Sequence, residues 1–312
     1  MIFLNKFRFP SADKENRFLA EYYKECPWAG SHYPFGVLTH NSLRELDMDD
    51  ITLLYGGNGS GKSTVLNVIG NKLGIHRESA YNKGDLHEEY LELCTYESAV
   101  WKHESWQLNA HFISSDDIFK YMQDTRVRND HYDIRSNAVA NEILRIKAGR
   151  LTINEQDAMR HLDFETSENM DTCMWLYNMK KKSPQQYIRS ELGCKTQTYS
   201  NGETGFMWFA EHIGPNSLYL LDEPENSLSC ELQMKLVEFI EQSVRYCGCQ
   251  FVIATHSPFI LSIGNAKIYN FDANPVTVSR WWELPNMQIM YRLFKQYDRE
   301  FSVFAAPAAN NR

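Results

Sequence analysis

The residues Gly56-Gly57-Asn58-Gly59-Ser60-Gly61-Lys62-Ser63 satisfy the pattern G-x-x-x-x-G-K-[ST] at every fixed position, and Thr64 follows. The spacing suits one chemistry, the binding of phosphate. Glycines permit a turn whose N–H groups converge on phosphate oxygens, and a helix starting at the end of the turn offers its positive pole to the same anion. Lys62 would bridge the β- and γ-phosphates, and the Ser63 hydroxyl would ligate magnesium. A second set lies far downstream. Leu218-Tyr219-Leu220-Leu221 is an apolar run ending in the paired carboxylates Asp222 and Glu223. Asp222 is suited to the magnesium shell, and Glu223 to orienting and deprotonating an attacking water. Asn82-Lys83-Gly84-Asp85 spells N-K-x-D, a guanine-reading pattern. It falls only about twenty residues after the phosphate loop, too early for that role, so it is read as chance and adenine is the base expected.

These residues need elements to hold them. Ile51 to Tyr55 is a compact apolar run that ends in Gly56, and Val65 to Leu73 repeats apolar residues at helical spacing until Gly74. That is strand, glycine loop, helix. Leu218 to Leu221 and Gln250 to Thr255 read as buried strands flanking an amphipathic helix over Glu231 to Tyr246. Short buried strands alternating with helices predict a mainly parallel sheet covered on both faces, with the carboxylates delivered to its carboxyl edge. Leu108 to Ile113, Ala266 to Phe271 and Thr277 to Trp281 read as further strands, Met287 to Phe301 as a closing helix, and Met1 to Pro10 as a first strand. Residues 81–106 are charged and aromatic without a clear period.

Composition bounds the remainder. A chain of 312 residues, 43% hydrophobic and 13% aromatic with 10 Pro and 16 Gly, is a folded globular protein rather than a disordered or fibrous one. The net charge of −8 advertises no global nucleic-acid surface. Residues 116–195 carry 13 basic and 13 acidic side chains, so this stretch is neutral and reads as a solvated helical insertion, with Lys180 to Lys182 as its one basic run. The apolar stretch Phe251 to Leu261, interrupted by Thr255, His256, Ser257 and Pro258, falls short of the roughly 18 residues that a membrane helix needs. The amino terminus lacks the apolar core and cleavage site of a signal peptide. Seven scattered cysteines without zinc-site pairing read as free thiols in a reducing, cytoplasmic compartment.

Taken in order, Gly56 to Thr64, Tyr199-Ser200-Asn201-Gly202-Glu203, Asp222-Glu223-Pro224-Glu225-Asn226-Ser227-Leu228-Ser229 and Thr255-His256-Ser257-Pro258 resemble the motifs of ABC-type ATPases. The match is nearest to the soluble branch related to the RecF and structural-maintenance-of-chromosomes heads, and runs from Phe35 to about Phe301. The resemblance implies an α/β P-loop fold with a mainly parallel central sheet, an N-terminal β subdomain and a helical insertion. It implies one ATPase domain over 1–312, with a nucleotide-binding core at 1–113 and 200–285, the insertion at 114–199, and a C-terminal helix and tail at 286–312. ATP and Mg²⁺ are the implied cofactors. Ser200 and Gly202, with Glu203 beside them, match the signature that grips the γ-phosphate held by a second subunit. Asn226 to Ser229 match the loop that couples the two sites, and His256 matches the switch histidine. The implied partners are a second copy of the chain, joined in an ATP-dependent homodimer, and a DNA or effector-protein partner, with no membrane insertion.

The sequence also departs from the family. Tyr199, Asn201 and Glu203 replace the signature's leucine, first glycine and glutamine, and Ser229 stands where transporters commonly carry aspartate. His111-Phe112-Ile113-Ser114-Ser115, where the family's strand leads into the loop that couples transporters to a permease, contains no glutamine. The missing glutamine favours a soluble switch over a transporter's nucleotide-binding subunit. A regulatory ATP-sensing subunit of a defence or nuclease complex is the further alternative. Tyr33 and Phe35 precede the phosphate loop at a distance that suits either an adenine contact or the core.

Overall fold

The computed structural model describes residues 2–26, 30–98, 109–147, 201–226 and 228–305. They fall into two units, Met1–Phe119 with Ser200–Arg312, and Lys120–Tyr199.

The first unit is an α/β structure built on two sheets. In the central one, β3 (Ile51–Tyr55), β5 (Ala110–Ser114), β6 (Leu218–Asp222), β7 (Gln250–Thr255), β8 (Lys267–Asn270) and β9 (Thr277–Ser279) lie in the order β5-β6-β7-β3-β8-β9. Five strands run parallel, and only β9 is antiparallel, against β8. Every residue of β3, β6 and β7 is buried. Their near-continuous apolar sequences are those of strands covered on both faces, as the sequence predicts. The smaller sheet is antiparallel in the order β2-β1-β4, from β1 (Lys6–Arg8), β2 (Glu45–Asp47) and β4 (Thr95–Glu97).

Helix α1 (Ala12–Glu25) follows β1 and is not among the elements expected from the sequence, although Phe18, Leu19 and Tyr22 give it an apolar stripe packed against the core. Its N-cap Ser11 accepts a hydrogen bond from the Lys14 amide, a local start signal. Helix α2 (Lys62–Lys72) carries Val65, Leu66, Val68 and Ile69, all fully buried, so it is enclosed rather than amphipathic. The aperiodic stretch 81–106 contains α3 (His87–Leu93) as well as β4. Helix α4 (Ser115–Lys147) follows β5, and its Arg128 guanidinium donates to Thr125 Oγ1 at 3.1 Å. The rest of the expected insertion lies outside the described residues. Helix α5 (Asn201–His212) precedes β6, and α6 (Cys230–Cys247) joins β6 to β7 with Leu236, Val237 and Ile240 on its buried stripe.

Three boundaries differ from the sequence reading. The strand expected over Thr277 to Trp281 stops at Ser279, because Trp281–Glu283 forms a 3₁₀ turn in which the Arg280 amide donates to Glu283. The expected helix over Met287 to Phe301 is two, α8 (Pro285–Gln296) and α9 (Asp298–Ala305), after the single turn α7 (Pro258–Leu261). Tyr297, at φ −108° and ψ 24°, breaks the helix, and Asp298 and Glu300 supply the acidic first turn of the next. The first strand is only Lys6–Arg8. The segment before it is held by the Gln250 side chain, whose oxygen accepts from the Phe3 and Leu4 amides and whose nitrogen donates to the Leu4 and Asp49 carbonyls. That satisfies a polar side chain with no exposure at all.

No helix among the described residues is long and apolar enough to cross a membrane. Of the seven cysteines, Cys26, Cys94, Cys230, Cys247 and Cys249 are free thiols, and burial pushes the Cys94 thiol up to about 12. Cys173 and Cys194 lie outside the described residues.

Candidate functional site

The loop after β3 turns through left-handed backbone at Gly59 (φ +80°) and Gly61 (φ +98°), conformations that L side chains rarely adopt. At Gly56 a Cβ would stand 2.6 Å from Ser60 Oγ and 3.1 Å from Asp272 Oδ1, so a side chain there would collide with the turn itself. The loop is braced from outside. Asp272 accepts from the Gly57 amide at 2.8 Å, and the Asn41 carboxamide donates to the carbonyls of Ser60 and Phe271. Gly61 is the N-cap of α2 and offers no side chain to the helix start, leaving the first-turn amides to another partner. The Lys62 ammonium lies over the loop and donates to the Gly56 and Gly57 carbonyls at 2.6 and 3.0 Å. Of its three N–H donors, these bonds use two. The Ser60 hydroxyl is buried with no hydrogen-bond partner.

The parallel pairing of β6 with β7 sets Asp222 opposite Ala254, so both strands end at the edge from which the glycine loop leaves β3. Asp222 Oδ1 accepts from the Ser63 hydroxyl at 2.8 Å, joining the two sequence motifs across 159 residues. Burial raises the Asp222 carboxyl above its ordinary value, against the opposing pull of the Ser63 hydroxyl and the Arg77 guanidinium. Arg77 Nη1 stands 3.6 Å from Asp222 Oδ2. The same guanidinium donates to Asn67 and Ser79 and lies 4.7 Å from the centre of the Phe112 ring. Arg77 is thus fixed on several sides next to a carboxylate, and the aperiodic sequence around it carried no signal for this.

Glu223 has φ +51°, a left-handed backbone that is costly for a residue with a side chain and is kept only where its surroundings enforce it. Its amide donates to the Ala254 carbonyl, its carbonyl accepts from the Asn226 amide, and its Oε2 accepts from the Asn226 carboxamide at 3.0 Å. His256 Nδ1 stands 3.8 Å from Glu223 Oε1 and 3.5 Å from Glu225 Oε1. A cavity of about 430 Å³ is lined by Tyr33, Val37, the loop from Asn58 to Thr64, and Glu223.

Of the sequence-predicted residues, Gly56 to Thr64, Asp222, Glu223 and His256 therefore converge. Ser200 and Ser227 lie outside the described residues. Gly202 and Glu203 sit in the first turn of α5, with the Glu203 side chain exposed. Ser229 is the N-cap of α6, accepting from the Leu232 amide, which accounts for a serine at that position. Ser114 ends β5 buried, exchanging hydrogen bonds with Asp117 and Ser79. Of the two candidate aromatics, Tyr33 lines the cavity and donates to the Thr64 hydroxyl at 2.9 Å, whereas Phe35 is core, stacked on Phe18. Among the described residues no group of three His, Cys, Asp or Glu is arranged to hold a metal. A hydroxyl and one carboxylate are nonetheless the hard oxygen ligands that magnesium takes together with substrate phosphates.

Comparison with known proteins follows the same outline. The family model described as "ABC transporter" matches residues 40–226, and one described as "AAA domain, putative AbiEii toxin, Type IV TA system" matches residues 204–262. The ABC transporter ATP-binding protein YtrE of Bacillus subtilis (strain 168) is 41% identical over 56 residues, 18% of this chain and 24% of that protein. The match thus spans about a quarter of that relative's length. Among solved structures, a nucleotide-free ATP-binding cassette from an ABC transporter is 16% identical, covering 93% of this chain and 99% of that one at a TM-score of 0.42. An Smc head domain bound to the C-terminal domain of ScpA, from Pyrococcus furiosus, is 12% identical over 94% of this chain and 100% of that one, at 0.40.

Proposed function

The chain belongs to the ABC transporter family of P-loop ATPases, and from that premise we propose that it binds Mg-ATP on the loop 56–64, hydrolyses it to ADP and phosphate, and uses ATP-driven pairing of two copies to switch a partner protein or a DNA-related process. The observation that carries this reading is the Ser63–Asp222 hydrogen bond, with Glu223 beside it in the wall of the loop's own cavity. The residues fit the nucleotide and its metal. The first turn of α2 has no side-chain cap, the buried Ser60 hydroxyl lacks a partner, and Lys62 keeps one N–H for a phosphate oxygen. Ser63 and Asp222 would hold magnesium, which when bound neutralises charge on the β- and γ-phosphates.

The chain's own groups divide the work. The loop amides and Lys62 bind the triphosphate and stabilise charge that builds on the γ-phosphoryl oxygens. Glu223 takes the proton of a water that attacks the γ-phosphorus in line. The bond to the β–γ bridging oxygen breaks, and ADP and phosphate leave. His256, anchored beside Glu223, helps to place that water. Ser200, Gly202 and Glu203 would close the site of a second copy, so ATP would drive association. The grouping of Met1–Phe119 with Ser200–Arg312 supports reading 1–113 and 200–285 as one nucleotide-binding core, interrupted by an insertion at 114–199 and followed by C-terminal helices and tail at 286–312.

The test is ATP turnover and oligomeric mass, with and without double-stranded DNA. Glu223→Gln should accumulate an ATP-loaded dimer, and a variant that stays monomeric with ATP, or turns over normally, contradicts the reading. The matched segment of YtrE supports a second reading, a transporter's nucleotide-binding subunit. The missing glutamine, the Thr255-His256-Ser257-Pro258 ending and the insertion read at 114–199 weigh for the switch, and co-purification with a multi-span membrane protein would reverse that. The match to the AAA model over 204–262 supports a regulatory role in a defence or nuclease complex as one form the switch could take.

A further inference from the structure

Glu225 has no role in the mechanism above, yet its side chain is only 4% exposed and stands at the join between the two catalytic strand ends. One of its oxygens, Oε1, accepts from the Thr255 hydroxyl at 2.6 Å, the His256 amide at 2.9 Å and the Ser257 amide at 3.1 Å, and it is the atom 3.5 Å from His256 Nδ1. The other oxygen, Oε2, is buried without a hydrogen-bond partner. A carboxylate taken this far from water is kept only when donors compensate it, and here all three come from one tripeptide, Thr255-His256-Ser257. The segment is fixed further along as well. The Ser257 hydroxyl donates to Gln233 and accepts from the Phe259 and Ile260 amides, and Pro258 opens the next turn.

We propose that Glu225 is a positioning residue for His256: it ties the turn after β6, which carries Glu223, to the end of β7, and so fixes where the imidazole stands and which ring nitrogen carries the proton. With two carboxylate oxygens within 4 Å of Nδ1, a neutral ring keeps its proton on Nδ1, and Nε2 is the nitrogen left for substrate or water. Glu223 alone could not do this. It is partly exposed and holds the ring by one longer contact, whereas Glu225 also holds the histidine's own backbone. The last acid of Asp222-Glu223-Pro224-Glu225 thereby acts through His256 and never touches the nucleotide.

The inference rests on the ATPase reading for its kinetic arm only. Glu225→Gln keeps the shape and one accepting oxygen, and is the variant to use; Glu225→Ala strands the Thr255 hydroxyl and two amides and serves as the stability control. The ¹⁵N resonances of His256 in the nucleotide-free, histidine-labelled full chain should show the Nδ1–H tautomer, and Glu225→Gln should shift them toward a tautomer mixture. Turnover by Glu225→Gln should fall about tenfold to a hundredfold, the scale of a misplaced catalytic group, with ATP affinity within about twofold. In a His256→Ala background the same substitution should cost nothing further, because its effect passes through the ring. Unchanged His256 resonances, or an equal loss of rate with and without His256, would overturn the proposal. Should the wild-type chain not hydrolyse ATP at all, the ATPase reading falls, while a shifted His256 spectrum would still uphold Glu225 in its positioning role.

Discussion

The two halves of the site are made of different material. On the β3 side it is main chain: glycines at 56, 59 and 61 shape a turn that presents N–H groups, and the supporting side chains, Asn41 and Asp272, hold its backbone from outside. On the β6 and β7 side it is side chains: Asp222, Glu223, Glu225 and His256, with Arg77 and Asn226 holding them. At positions 56, 59 and 61 the backbone cradle tolerates no added Cβ without strain or collision, and apart from Lys62 and Ser63 it acts through its main chain. A carboxylate edge needs its functional groups, and Asp222 and Glu223, unlike Glu225 with its two backbone amides, can be altered without stranding main chain. Substitutions in the first half should therefore damage binding and fold together, and those in the second should separate rate from stability.

Glu223→Gln should give the largest effect and the clearest separation, a fall in kcat of about 10²- to 10⁴-fold with ATP affinity kept. Equal losses of affinity and rate in rapid-quench and equilibrium-binding measurements would erase the distinction between the halves. Asp222→Asn should weaken magnesium-dependent turnover, by less than Glu223→Gln lowers kcat, while Tm holds or rises. The sign follows from burial, which raises this carboxyl: between the unfolded and folded pKa values the folded chain binds more protons, so holding the ionised group at higher pH weakens the fold, and the amide removes that penalty. A fall of several degrees in Tm would show that the Arg77 contact outweighs desolvation. Gly61→Ala, at φ +98°, should cost about 1–3 kcal/mol and weaken ATP binding with it, read by Tm and by titration. An alanine variant with wild-type stability and affinity would mean that the turn has slack.

The smallest change lies outside both halves. His87 is buried with neither ring nitrogen hydrogen-bonded, and burial, with Lys83 nearby, holds its pKa below the usual value. As pH falls through the ordinary histidine range, the unfolded chain takes up a proton that the folded one refuses. Stability is then lost at up to about 1.4 kcal/mol per pH unit. His87→Leu should flatten the drop in Tm between pH 7 and 5 and leave turnover at pH 7 unchanged. A drop of unaltered slope would assign the acid sensitivity to other groups.

The same division explains what could be read in the sequence. The glycine loop was legible because each fixed position answers a local steric demand, and β3, β6 and β7 because strands buried on both faces must be apolar throughout. Asp222 and Glu223 were legible from the strand that ends in them. Arg77, Asn41 and Asp272 were not, since each acts at a distance along the chain through hydrogen bonds or ion pairs that any polar residue could announce. Glu225 stood in a quoted motif, but its partners 30 to 32 residues away appear only once β6 and β7 are paired. The break at Tyr297 escaped because the apolar spacing runs on past it, whereas helix α1, with Ser11 as its cap and Asp13 and Glu15 in its first turn, had signals that could have found it.

The Gln250 side chain, which spends its whole hydrogen-bonding capacity on the segment before β1 and on Asp49, has a bearing on how the chain matures. Phe3 and Leu4 are separated from that amide by 247 and 246 residues. Until β7 is in place the Phe3 and Leu4 amides lack these acceptors, so the segment before β1 and the strand β7 must be seated together.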